Sequence, residues 1–198
     1  MAKIKVRRHQ KKRIYIHNDL SNAAFHFKKR IESRLQNNDQ KGIAFDHMAF
    51  LVLSAFAFEA RINFLGKKLI TDWKERSPFH VKVANVFSAV EIKQQSNQRP
   101  FSTLKTIKDF RDTLAHGKPE ETVVEEEAIM EQHEEDGLVG LTAEWQKYCT
   151  PELMQIVHED LNTLWKMLLE KAGIKVFDTL TSSFGALTVI EKIEEGQT

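Results

Sequence analysis

The chain has 198 residues, 41% apolar and 29% charged, with only 4 prolines and 8 glycines; this composition suits one folded domain and excludes a linker or a disordered chain. Its 29 Lys and Arg against 28 Asp and Glu exclude any global electrostatic pull toward nucleic acid or membrane, so such a pull must come from local clustering. The single cysteine, Cys149, excludes an internal disulfide and a cysteine-rich metal site, and it suits a reducing, cytoplasmic setting.

The first 19 residues form a basic N-terminal arm that carries Lys3, Lys5, Arg7, Arg8, Lys11, Lys12 and Arg13, with no acidic residue before Asp19. No apolar stretch follows to act as a signal peptide, so export is not expected. The arm reads as a solvated, mobile segment, and its cations suit either solubility or an RNA backbone, because neutralising phosphates needs no fixed geometry.

A first helix is predicted from near Asp19, where Leu20, Ala24, Phe27, Ile31 and Leu35 recur at spacings of three and four to make one apolar stripe. Asn37, Asn38 and Gly42 end it. The second helix, about 45–69, takes Asp46 as its cap and is apolar on all sides through Phe58, as a helix surrounded by others should be. Its apolar run 48–58 is shorter than the roughly 18 to 20 residues that span a bilayer, so no membrane is expected.

Ser77 and Pro78 read as a helix start, followed by the stripe Phe79, Val83, Val86, Phe87 and Val90. A polar loop, 94–99, leads to Ser102 and a fourth helix with Leu104, Ile107, Phe110 and Leu114 on one side, stopped by Gly117 and Pro119. A long insertion, about 118–149, comes next. Its stretch 120–136 has nine acidic residues and no Lys or Arg, and periodicity assigns it no conformation. The last helix starts at Thr150 and Pro151, carries Leu153, Ile156, Val157, Leu161, Leu164 and Leu168, and closes at Gly173. The tail, 173–198, admits a short helix, a strand or disorder. The expected fold is all-α: an antiparallel bundle of four to five helices over 20–172, with the acidic insertion before the last helix.

The end of the fourth helix, Arg111-Asp112-Thr113-Leu114-Ala115-His116, concentrates a permanent cation and a titratable base within one and a half turns. Asp112 and His116 are four apart and neighbours on the helix surface; Arg111 lies at the rim of the apolar stripe. A phosphodiester is cleaved without metal when one group removes the 2′-hydroxyl proton and a cation stabilises the phosphorane, tasks that suit His116 and Arg111, with Asp112 orienting the imidazole. Arg13 with His17 and Arg76 with His80 stand four apart and read as surface pairs.

This segment resembles the motif of the HEPN superfamily (higher eukaryotes and prokaryotes nucleotide-binding), in which an arginine and a histidine are separated by four to six intervening residues, here four. The stretch Ser54-Ala55-Phe56-Ala57-Phe58-Glu59-Ala60-Arg61-Ile62-Asn63-Phe64-Leu65 is similar to the central helix of those all-helical domains. The resemblance implies a metal-independent endoribonuclease without cofactor, a toxin or defence effector with a cognate antitoxin or other protein partner, acting as a homodimer whose motifs face a shared groove. Lys108 and Lys118, with Arg7, Arg8, Lys11, Lys12 and Arg13, are the candidate RNA-binding cations, and Glu59 and Asn63 auxiliary polar residues. The acidic insertion departs from this picture, because its charge repels RNA unless it folds away.

A competing reading, which some members of the superfamily exemplify, is a non-catalytic module that binds protein or nucleic acid. In that case Arg111 and His116 simply finish a helix, where the macrodipole favours cations. Trp73, Trp145 and Trp165 sit in or beside helical stripes and read as packing anchors. His47, His133 and His158 stand beside acidic residues but have no second histidine at helical spacing, so no metal site is expected.

Overall fold

The apolar stripes form five helices: α1 (Ile16–Gln36), α2 (Ile43–Leu69), α3 (Phe79–Ala89), α4 (Ser102–Ala115) and α5 (Pro151–Ala172). The computed structural model describes residues 3–119, 121, 123, 125 and 143–193. The acidic run 120–136 therefore lies outside the described residues, apart from Glu121, Val123 and Glu125.

The caps follow elementary hydrogen-bond accounting most closely in α5. The Thr150 side chain accepts from the Leu153 amide, Pro151 takes the first turn where no amide is needed, and Gly173 closes the helix at φ 65°. Elsewhere the expected starts shift. The helix α1 begins three residues before Asp19. Gly42, at φ 69°, precedes α2, and Asp46 does not cap it; that carboxylate is buried one turn inside and accepts from Arg34 and Arg30 of α1. Ser77 makes no capping bond to α3.

The central element is α2, which contacts all four other helices. Its buried residues Phe50, Leu51, Phe58, Ile62 and Leu65 share one broad face of about 120° and lie in one core with Ile31 of α1, Val83 and Phe87 of α3, Ile107 and Phe110 of α4, and Val157, Leu164 and Leu168 of α5. Each such side chain contributes about 1.5 to 3 kcal/mol by leaving water. With 27 residues and a mean hydropathy of 1.6 over its most apolar window, α2 is long and apolar enough to cross a membrane, contrary to the reading of its apolar run; half of that window is buried against the other helices.

The tryptophans pack as anchors. Trp145, in the short 3-10 turn Glu144–Tyr148, stacks on Phe45, and the neighbouring Tyr148 meets Phe110 edge to face. Trp73 folds back over α2 at Gly66, where an added Cβ would run into the indole ring. Alanine normally improves a helix interior by about 1 kcal/mol over glycine. Here Gly66→Ala is expected to lower stability, by about 2 kcal/mol, because the indole must leave its seat. A higher urea midpoint for the variant would contradict this account.

The two chain ends depart from the all-α expectation. The basic arm is not a mobile tail: β1 (Lys3–Arg13) pairs antiparallel with β2 (Ser182–Ile193), Lys3 opposite Ile193 and Arg13 opposite Ser182, with an irregularity at Lys5/Val6 where Ile190 is left over. At about 3.4 Å per residue the ribbon extends about 35 Å. Its root is clamped by polar bonds between the two ends of the chain: the Tyr15 amide donates to Thr181 Oγ1 at 3.1 Å, Asn18 Nδ2 donates to the Thr179 carbonyl at 2.9 Å, and His17 Nε2 lies 3.0 Å from that carbonyl.

Candidate functional site

Helix α4 presents Lys108, Arg111 and Asp112 along one flank, and its last turn ends at His116, the C-cap. The Arg111 guanidinium is 21% exposed and is held from two sides. Nη1 donates to Glu59 of α2, while Nε and Nη2 both donate to Asp112 Oδ1 at 3.1 and 3.0 Å. Its face lies 5.7 Å from the ring centre of Phe79. A guanidinium has five N–H donors, and these three bonds leave two of them free for another oxyanion.

The network extends on both sides. Glu59 also accepts from Lys82 of α3, a lysine only 3% exposed that donates to the Glu75 carbonyl as well. Lys108 donates to the second oxygen of Asp112 at 2.7 Å. That bond, reinforced by Arg111, keeps the Asp112 carboxyl below the usual carboxylate range. The result is an alternating chain of charges, Lys82, Glu59, Arg111, Asp112 and Lys108, which fixes Arg111 in place before any ligand arrives.

Two expected contacts do not form. Asp112 does not orient His116, because both its oxygens are taken by Lys108 and Arg111; the imidazole is exposed, and among the described residues no carboxylate holds it. Glu59 does not bond Asn63 either. Lys82 and Arg111 draw it away, and Asn63 Oδ1 is buried without a hydrogen-bond partner among the described residues. Lys118 is exposed just beyond the helix. His17 is a further correction: far from being a surface residue, it is 3% exposed among Tyr15, Phe64 and Trp165, and burial lowers its pKa. Arg76 and His80 are exposed, as expected.

The ribbon sorts the basic arm into two faces. Successive side chains alternate, so Lys3, Lys5, Arg7, His9, Lys11 and Arg13 share one face, while Arg8 and Lys12 fall on the other with Ile4 and Val6. Phe184, 66% exposed, stands opposite Lys11 and therefore on the basic face. The second face carries Ile4, Val6, Leu187 and Val189, all exposed.

Ribbon root and network are both held on the C-terminal half of α2. Tyr15 and His17, at the ribbon root, pack edge to face on Phe64 of α2. Arg111 binds Glu59 of the same helix, five residues earlier and so about 7.5 Å down its axis. A cavity of about 450 Å³ opens at this end, lined by Tyr15, His17, Asn63, Phe64, Lys67 and Lys68 among others.

Sequence reasoning missed Lys82, because a lysine on a helix is ordinarily solvated, and Phe184, because its tail had no assigned conformation. Cys149 is half-buried, and burial pushes its thiol up to about 11, which makes it inert as a nucleophile at neutral pH. Among the described residues no three or more His, Cys, Asp or Glu are placed to hold a metal ion. No protein-family model, no curated protein and no solved structure matches this chain.

Proposed function

We propose that this chain is a cytoplasmic RNA-binding protein that cleaves RNA without a metal, the ribbon holding the strand and the end of α4 carrying out the chemistry. The observation that carries this reading is the basic face of the ribbon: five Lys and Arg side chains and His9 at alternate positions of a clamped two-stranded scaffold, with Glu191 opposite Lys5, rooted on the half of α2 that holds Arg111 through Glu59. Cations at alternate strand positions suit a phosphate backbone, and the exposed Phe184 among them offers a ring on which an unpaired base can stack. Single-stranded RNA is the substrate class that uses both.

The proposed step is transfer of the phosphodiester to the 2′-oxygen. The P–O2′ bond forms, the P–O5′ bond breaks, a base removes the 2′-hydroxyl proton, and an acid returns a proton to the 5′-oxygen. The exposed imidazole of His116 takes one of these proton transfers. The two uncommitted N–H donors of Arg111 meet the charge on the phosphorane, already held in position by Glu59 and Asp112. Incubation with single-stranded RNA in EDTA at low salt tests the reading: fragments ending in 2′,3′-cyclic phosphate are expected, and uncut RNA would reject cleavage.

Pairing of two protomers belongs to the same proposal, because a second His116 would supply the complementary proton transfer. The edge of β2 suits such pairing. From Phe184 to Ile190 it carries no charge, whereas the edge of β1 is guarded by lysines and arginines. A monomer in sedimentation velocity at tens of micromolar would remove this element. The reading as a toxin or defence effector with a cognate protein partner rests on the HEPN resemblance of Arg111 to His116.

A second reading, a non-catalytic HEPN-like binding module, is favoured by the two carboxylates that already neutralise Arg111. Tight RNA binding without fragments would select it.

A further inference from the structure

Four arginines of the helical body pair with carboxylates, and Arg76, which does not, is exposed to water. Arg30 pairs with Asp46, Arg34 with Asp39 and Asp46, Arg99 with Asp160 and Glu159, and Arg111 with Glu59 and Asp112. Arg61 of α2, at the interface with α1 and α5, has no carboxylate partner among the described residues. Its Nη2 donates to Ser21 Oγ at 3.1 Å, its Nε is buried without a partner, and its charge lies 5.2 Å from the ring centre of Trp165. The titratable groups that feel its charge are His17 and His158, neither of them an anion. Arg61 is half-buried, and a neutral hydroxyl and an indole compensate poorly for the part of its guanidinium withdrawn from water. Burial lowers the guanidinium pKa to about 10, so it still carries its charge at neutral pH.

The same residue lines a small cavity of about 170 Å³ between α1, α2 and α5, with Ser21, Ser54, His158 and Asn162 among its walls. These polar groups come from three helices and approach from different sides, while Phe25, Phe50 and Leu161 supply apolar wall. The volume is below the roughly 300 to 1,000 Å³ that drug-sized ligands occupy. It suits a compact anion that accepts hydrogen bonds in all directions. A planar carboxylate uses two oxygens in one plane; a tetrahedral oxyanion also meets groups that approach from two helices, Arg61 and Ser54 of α2 and, joined to each other at 3.3 Å, His158 and Asn162 of α5.

We infer that this cavity binds a phosphate group, with the Arg61 guanidinium as its cation and Ser54, His158 and Asn162 as flanking hydrogen-bonding groups. The phosphate is either free or the exposed end of a larger molecule, since the cavity is too small for a drug-sized ligand. The site is separate from the Arg111 network and does not depend on cleavage of RNA.

The test compares inorganic phosphate with chloride and acetate at equal ionic strength on the full chain. Phosphate is expected to raise the melting temperature and to shift the His158 ring resonances, where chloride and acetate do neither. Arg61→Met should weaken phosphate binding at least tenfold and, having removed a half-buried charge without a carboxylate partner, should melt no lower than the parent without phosphate. Arg61→Lys keeps the charge but loses the fork, and should bind at an intermediate level. It also keeps the test open if the methionine variant does not fold. Oligoribonucleotides with and without a 5′-phosphate separate the sources: tighter binding of the phosphorylated form assigns a terminal phosphate, and equal binding assigns the free ion. Equal effects of phosphate and chloride, acetate binding as tight as phosphate, or phosphate binding undiminished in Arg61→Met would each overturn the assignment.

Discussion

Replacing His116 with alanine is expected to lower the rate of EDTA-resistant RNA cleavage by about 10² to 10⁴-fold, the usual contribution of a positioned acid or base, with helicity and melting temperature unchanged. The absence of a structural effect follows from position. His116 is exposed at the C-cap of α4, and its backbone amide, which bonds the Asp112 carbonyl, survives the substitution. Arg111 offers no such clean test. Its removal would leave Glu59 facing only Lys82 and Asp112 facing only Lys108, so lost activity and lost stability would be mixed. Fragment formation by His116→Ala at the parental rate would reject the proposed role and leave binding alone.

Neutralising one face of the ribbon should give the second large effect. The triple variant Arg7→Gln, Lys11→Gln, Arg13→Gln removes three cations from the face that carries Phe184. Each phosphate contact on a single strand contributes about 0.7 to the slope of log affinity against log salt, so the slope should fall by about 2 and the affinity near 0.15 M salt by roughly fiftyfold. Arg8→Gln with Lys12→Gln, on the opposite face, is the control and should change the slope by much less. Equal losses from the two faces would mean that the ribbon acts as a diffuse positive charge and that its register is irrelevant to RNA.

The two experiments divide the proposal. Cleavage can fail while the ribbon result holds, and the chain is then a binding module. If the ribbon result fails, the basic arm is a solubilising element and Phe184 has no base to meet.

What the sequence determined by itself is the helical frame. The three-and-four spacing of Ile31 with Leu35 in α1, of Leu104, Ile107 and Phe110 in α4, and of Val157, Leu161, Leu164 and Leu168 in α5 marks faces that the structure does bury or half-bury. Thr150, Pro151 and Gly173 marked the ends of α5 for the same reason: helix bonds and caps join residues within one turn, so a short window of sequence holds the information. Arg111 and His116 were legible as a pair on one helix end, but not the partners of either. Glu59, 52 positions away, reaches Arg111, and Lys82 reaches Glu59, only because α2, α3 and α4 pack together; these bonds take Glu59 from Asn63, while Lys108 and Arg111 take Asp112 from His116. A lone guanidinium in apolar α2 was visible as Arg61, yet its want of a counter-charge emerges only when α1 and α5 close around it. The ribbon is the extreme case. Lys3 and Ile193 are separated by almost the whole chain, and neither strand has a short-range signal because β-pairing satisfies each backbone group with a group from elsewhere. Tertiary structure alone decided that the basic arm has a face.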